Sequence, residues 1–294
     1  MRTIRTATPR RELKEFVRSY AQREIECDGT GFEQPNIASL EHILSFDFCD
    51  RTRMDFPDAQ SVLLPRINVV GSQTLPSGCA RFIGRFFAFG IFLKPLASWQ
   101  LFRIPPGDLA NRNIDGADLF GKRMQSLWLA LAESKGFTER VRVAEEYLLP
   151  FAINALARSS IMKSAQHLLR NKGAISIDVL ANHTALSVRQ YERRFADEMG
   201  LSPKLFARIT RFQMALDARR ISPGRTWVGV AHEFGYFDQM HMIRDFKNLG
   251  GGAPNQLTGQ IGDLRPWSLR IAHGSLRFLG ASPMDTSSKM AFDD

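Results

Sequence analysis

Two kinds of hydrophobic patterning divide the chain. In roughly the first hundred residues, apolar side chains come in short runs bounded by Pro or Gly: HILSFDFC (42–49), SVLLPRINVVG (61–71), RFIGRFFAFGIFL (81–93) and WQLFRI (99–104). Alternation, or a brief continuous run rich in Phe, Ile and Val, predicts strands buried on one face or on both. Several such strands separated by turn residues predict a sandwich- or barrel-like β-rich domain over 1–110, closed by Pro105-Pro106-Gly107-Asp108. The period then lengthens. LFGKRMQSLWLALAES (119–134) and ERVRVAEEYLLPFAINALA (139–157) read as helices of a connector over 111–157, with Pro150 expected to kink or divide the second. From about Ser159 the pattern is helical throughout. The expected fold class is α+β: a β-rich N-terminal domain, connector helices, an all-α domain over 158–262 and a C-terminal tail over 263–294.

The helical part contains a repeat. FADEMGLSP (195–203) aligns without a gap on FKNLGGGAP (246–254), so Phe195/Phe246, Gly200/Gly251 and Pro203/Pro254 recur at an offset of 51 residues. Upstream of each Phe lies a small-residue helix, a turn and a second helix, in LANHTALSVRQYERRF and in VAHEFGYFDQMHMIRDF, where the second copy is one residue longer between its Ala and its Phe. Two copies of one supersecondary unit are implied. In the first, Ser176 is placed to cap a short helix, and Ser187 with Gln190 fits a capping box opening the next. Val188, Tyr191 and Phe195 then form a stripe expected to face the core, leaving Arg189, Glu192, Arg193 and Ala196 on the other side. In the second, Gly235 supplies the tight turn, Tyr236 packs after it and Asp238 caps the helix. Met242 and Phe246 face inward there, while Met240, Ile243, Arg244 and Lys247 stay outside. Ser202-Pro203 starts a helix through roughly Arg220 that joins the units. Eighteen residues make a rod of ~27 Å, against about 34 Å between successive major grooves on one face of a duplex. With its ends offset by the packed units, a rod of that length suits such a spacing, which is expected to let one chain grip two adjacent grooves.

The region from about Met162 to Gln260 resembles the DNA-binding domain of the AraC/XylS family of bacterial transcription regulators. The second unit carries the family's signature in Val230-Ala231, Gly235-Tyr236, Asp238-Gln239, Arg244-Asp245-Phe246-Lys247, Gly251 and Pro254, and its longer turn agrees with the family pattern. It departs at His241-Met242, which replaces an aromatic-rich pair, and at the glycine-rich Gly250-Gly251-Gly252. The stretch FFAFGIFLKPLASWQLFRIPPGDLANRNIDGADLFG is similar to the β-rich domain that precedes this module in many regulators. The resemblance implies a bacterial, cytoplasmic transcription regulator that is not an enzyme, and a first domain that senses a small ligand or mediates dimerisation. Candidate DNA-contacting residues are Arg189, Gln190, Glu192 and Arg193 in the first unit and Gln239, Met240, Ile243, Arg244 and Lys247 in the second. Forked guanidinium groups suit guanine edges, and exposed apolar side chains suit thymine methyls. Glu192 is open to a cytosine amino group or to a neighbouring Arg. Lys204, Arg208, Arg211, Arg219, Arg220 and Lys247 are assigned to phosphates or to no contact.

Charge agrees with this reading. The net charge of +9 is concentrated: residues 158–262 hold 15 Lys+Arg against 8 Asp+Glu, whereas residues 1–157 hold 20 against 18. A basic excess in one third of a chain is the footprint of a nucleic-acid-binding domain, and a solvated basic surface is the alternative on charge alone. Expected partners are double-stranded DNA at a promoter or operator, with RNA polymerase, an unidentified small-molecule effector and a second copy of the chain as open options. No membrane is expected, since no apolar run reaches about 20 residues. Cys27, Cys49 and Cys79 are scattered and read as reduced packing residues. No cofactor or metal is called for. His232-Glu233 lacks the second His of HExxH, because position 236 is Tyr, and neither a GxSxG elbow nor a phosphate-binding loop occurs. Two readings of other classes stay open: an N-terminal enzyme with a tethered DNA-binding module, and a sequence-indifferent nucleoid protein.

Overall fold

A computed structural model describes residues 2–27, 31–49, 52–58 and 60–261; the tail expected at 263–294 lies outside them. Among the described residues, the N-terminal part contains ten strands: β1 (Arg2–Ala7), β2 (Val17–Glu26), β3 (Phe32–Pro35), β4 (His42–Asp47), β5 (Arg53–Asp55), β6 (Ser61–Leu63), β7 (Ile67–Val70), β8 (Cys79–Phe82), β9 (Arg85–Leu93) and β10 (Asn113–Asp115). They form a six-stranded sheet in the order β1-β2-β9-β4-β7-β10 and a four-stranded sheet β3-β8-β5-β6, with antiparallel pairing throughout. The β-rich domain expected from the sequence is therefore present.

Strand β9 shows why its sequence reads as a nearly unbroken apolar run. Phe89, Ile91 and Leu93 pack with Leu44, Phe46, Val69, Met124, Leu127, Leu131, Ala144 and Leu148, while Phe86 and Ala88 turn to the other face with Ile25 and Phe82. Period two persists, but both faces are buried. The helices opposite the first face are α3 (Gly116–Phe120), α4 (Lys122–Glu133) and α5 (Phe137–Ile153). The segments expected as a connector thus pack on the sheet. Helix α5 is pinned there by buried Arg140, whose guanidinium donates to Leu131 O at 2.9 Å, Ser134 O at 2.8 Å and Gln22 Oε1 at 3.0 Å. It also lies 5.0 Å from the centre of the Phe87 ring. Pro150 sits inside α5 without dividing it, in the last turn before Ile153.

WQLFRI is not a strand. Residues Ala97–Phe102 form helix α1, which ends at Arg103 in the left-handed region (φ 60°), and Pro106–Leu109 form the short helix α2. Ala97 and Leu101 pack into the core of the first sheet, whereas Trp99 packs against the core of the helical domain. A one-and-a-half-turn helix covered on both sides is apolar all round, and so short a run looks the same as a buried strand.

The remaining helices are α6 (Ser160–Arg170), α7 (Ile177–His183), α8 (Val188–Met199), α9 (Pro203–Ile221), α10 (Trp227–Glu233), α11 (Gln239–Gly250) and α12 (Pro254–Ile261). Helix α9, opened by the Ser202 cap and Pro203, is the rod expected between the two units and is about 28 Å long. Phe206, Ile209, Phe212, Leu216 and also Thr210, Gln213 and Asp217 are buried, so the rod is enclosed nearly all round, by α6 and α8 on one side and α10–α12 on the other. This core also takes in Ile37, Ala38 and Leu40, from the link between β3 and β4.

Candidate nucleic-acid interface

The two units repeat in three dimensions as well as in sequence. In the first, Ser176 Oγ accepts from Val179 N–H to open α7, Ala185 takes a left-handed conformation (φ 54°) after it, and Leu186 N–H donates to Ala181 O at 3.1 Å. Ser187 and Gln190 then form the reciprocal capping box that opens α8. In the second, Thr226 caps α10, Gly235 (φ 67°) occupies the left-handed position, and Tyr236 N–H donates to Ala231 O at 3.0 Å. Asp238 Oδ1 accepts from His241 N–H at 2.6 Å to open α11. Helices α8 and α11 close on Gly200 (φ 76°) and Gly251 (φ 79°), the paired glycines of the repeat. Left-handed geometry at those ends is what glycine adopts without steric cost.

Each of α8 and α11 turns a three-residue stripe inward: Tyr191, Phe195 and Met199 in α8, and Met242, Phe246 and Leu249 in α11, all buried. Tyr191 OH is 2.9 Å from Ser164 Oγ, and burial pushes its hydroxyl up to about 12, so it stays neutral. Val188, expected in that stripe, is 38% exposed. It is the first residue of α8, ahead of the turn that meets the core, and Met199 completes the stripe at the other end.

Arg189, Gln190, Glu192 and Arg193 are exposed on α8, and Gln239, Met240, Arg244 and Lys247 on α11, with Ile243 half-buried beside them. The side-chain oxygen of Gln190 already serves the cap, accepting from Ser187 N–H at 3.1 Å. Three of the arginines assigned to phosphates are occupied within the fold. Arg208 on α9 donates from Nε and Nη2 to Asp245 Oδ1 at 3.0 and 2.7 Å, tying α11 to the rod. Arg211 donates to Gly235 O at 3.3 Å and lies against Tyr236, and Arg219 lies over Trp227. Lys204 and Lys247 remain exposed. Glu233 is paired with both Lys172 and Arg225.

The opposite ends of both helices abut the N-terminal part, a feature with no signal in the sequence. Gly200 meets Gly107 of α2 so closely that a Cβ on Gly200 would lie 2.3 Å from Gly107 Cα. At the end of α11, Ala38 N–H donates to Leu249 O at 2.8 Å, and Gly251 lies against Pro76. Between these contacts, Gln213 of α9 accepts from Leu40 N–H at 3.3 Å and donates to Ser39 Oγ at 3.1 Å. Residues 36–40 are held on their other side by paired backbone hydrogen bonds between Ser39 and Gln73. The next residue, Glu41, is buried in a salt bridge with Arg18; burial raises its carboxyl to about 7 against the opposing pull of Arg18.

The described residues form a β-rich unit seated against two helix-turn-helix units, and comparison with known proteins agrees with that architecture. Residues 180–260 match the family described as "Helix-turn-helix domain". No curated protein sequence matches the chain. Among solved structures, the fold is similar to that of apo ToxT from Vibrio cholerae strain SCE256, in a single-substitution variant, with a TM-score of 0.50 at 6% identity, covering 87% of this chain and all of that one. ToxT from Vibrio cholerae O395 aligns with a TM-score of 0.45 at 8% identity, covering 90% of this chain and 98% of that one. An unsaturated fatty acid bound wild-type ToxT aligns at 0.42 and 8%, covering 88% and 96%. No helix among the described residues is long and apolar enough to cross a membrane.

Proposed function

We propose that the chain is a sequence-specific transcription regulator of the AraC type, acting in the cytoplasm and without catalytic activity, that reads two adjacent major grooves with α8 and α11. The observation that carries this reading is the matched exposure of Arg193 and Arg244. They stand at the repeat offset on equivalent turns of two helices joined by one rod. An exposed helix of this width fits a major groove about 12 Å across, and arginine pairs bidentately with guanine. Arg189, Gln190, Glu192, Gln239, Met240, Ile243 and Lys247 complete the reading surface.

The N-terminal unit fits a regulatory role. It touches the far ends of both reading helices, so a small effector bound there, a second copy of the chain or a contact with RNA polymerase would act through those ends on how the helices are held. The test is selection of bound duplexes from a random pool with the full chain, followed by binding of the selected site and a scrambled one. Arg193→Ala and Arg244→Ala should each lose about 1–3 kcal/mol of discrimination at one base position and melt as the parent does. Equal affinity of the parent for selected and scrambled duplexes would refute the reading.

A further inference from the structure

The second turn is one residue longer than the first, and the structure identifies that residue. Leu186 and Tyr236 occupy equivalent places: each follows a left-handed residue, Ala185 or Gly235, and each donates its N–H to the carbonyl five residues back. Both pack against the core of the helical domain. Leu186 is followed at once by the cap Ser187, whereas Tyr236 is followed by Phe237 and only then by the cap Asp238. Phe237 therefore has no counterpart in the first unit.

Its ring is 92% exposed, the most of any large apolar side chain among the described residues. An apolar residue just before a helix cap commonly packs on the fourth residue of the helix. Here that residue is Met242, which is fully buried beneath α11, so Phe237 stays outside. Met240, in the same first turn, is 57% exposed, and Arg244 and Lys247 are exposed farther along the helix. An aromatic ring that opens a reading helix whose exposed face carries Arg244 and Lys247 suits a duplex better than an apolar protein surface. The apolar group a major groove offers is the 5-methyl of thymine.

Resting on the DNA-binding reading above, we propose that Phe237 is a specificity-determining residue, its ring packing on a thymine 5-methyl group where α11 enters the major groove. The second unit then prefers an A·T pair at that position through a contact the first unit lacks.

The test uses the full chain and its Phe237→Ser variant, whose melting should match the parent because the ring is exposed. Each protein selects duplexes from a random pool, and uracil then replaces the selected thymine, which removes only the methyl. The parent should lose about threefold to tenfold in affinity on uracil, the scale of one buried methyl group. Phe237→Ser should select no base at that position, bind the thymine duplex as weakly as the parent binds the uracil one, and show no further loss on uracil. If both proteins select the same sequence with the same uracil penalty, Phe237 does not read thymine, although the helices still read DNA. If the parent selects no sequence at all, the DNA-binding reading falls with it.

Discussion

The two helix-turn-helix units share caps, turn geometry and glycine ends, yet they are held in place by different means. The first relies on a capping box and a core stripe within itself and on one close backbone approach, of Gly200 to Gly107 of α2. The second adds charge and distant chain. Arg208 grips Asp245 behind α11, Glu233 is clasped by Lys172 and Arg225, and Ala38 from the β-rich unit caps Leu249. Sequence repetition sets the shape of each unit, and the residues that break the repetition decide how each is tied to its surroundings. The second unit is consequently tied to the N-terminal unit through the hydrogen bond from Ala38 to Leu249, while the first meets it in the close packing of Gly200 on Gly107.

The paired glycines break that comparison most sharply. Both have left-handed backbones, so alanine at either costs roughly 1–2 kcal/mol from strain. At Gly251 the nearest atom to a new Cβ is Pro76 Cβ at 3.4 Å, an ordinary contact, so Gly251→Ala should stop near that cost. At Gly200 the new atom would be 2.3 Å from a backbone carbon of α2, so α2 or α8 must move. Gly200→Ala should lose roughly 3–5 kcal/mol. Thermal or denaturant unfolding of the full chain gives both values. Equal losses would mean that α2 is not firmly seated on α8.

The next test concerns the residue 51 positions before Asp245, which is Arg194. Asp245 is buried and holds Arg208 at 2.7 Å, whereas Arg194 reaches Glu198 at 4.0 Å on an open surface. Asp245→Ala strands a partly buried guanidinium and should cost about 2 kcal/mol, discounted from the cost of breaking a fully buried pair because Arg208 keeps some contact with water. Arg194→Ala should cost less than about 0.5 kcal/mol. A small loss for Asp245→Ala would show that α11 keeps its seat on α9 through Met242 and Phe246 alone.

The legible features are those in which local chemistry dictates local shape. Caps at Ser176, Ser187, Ser202 and Asp238, the glycine ends and the inward Tyr, Phe and Met positions all show in the sequence, because each needs a particular residue type within a few positions. Strand β9 is visible for the same reason. What is hidden depends on contacts across long separations. WQLFRI becomes a helix because two cores meet around it. Strand β2 carries buried Gln22 and Arg23 among its apolar positions, so it presents no clear run. Residues 37–40 look like an ordinary linker until Gln213, more than 170 positions later, supplies their partner. Arg208, Arg211 and Arg219 look like phosphate ligands, since the sequence carries the charge but not the neighbour that occupies it. Phe237 could be read as one more turn residue, and only the equivalence of Leu186 with Tyr236 marks it as the insertion.

The smallest effect tests that equivalence directly. Ala185 and Gly235 occupy the same left-handed place in their turns, at φ 54° and 67°, but alanine pays a steric cost there that glycine avoids. Ala185→Gly should stabilise the chain by up to about 1 kcal/mol, relief of strain being partly offset by the greater freedom of glycine in the unfolded chain. Gly235→Ala should destabilise it by a similar amount, because a Cβ at Gly235 would meet nothing closer than Ala174 Cβ at 3.8 Å, which leaves backbone strain as the difference. Shifts in unfolding midpoint of opposite sign and comparable size would establish that the two turns share one geometry up to the residue before Phe237. A Gly235→Ala loss several times larger than the Ala185→Gly gain would mean that the longer turn is strained by its insertion, and the pairing of Leu186 with Tyr236 would no longer describe the two units.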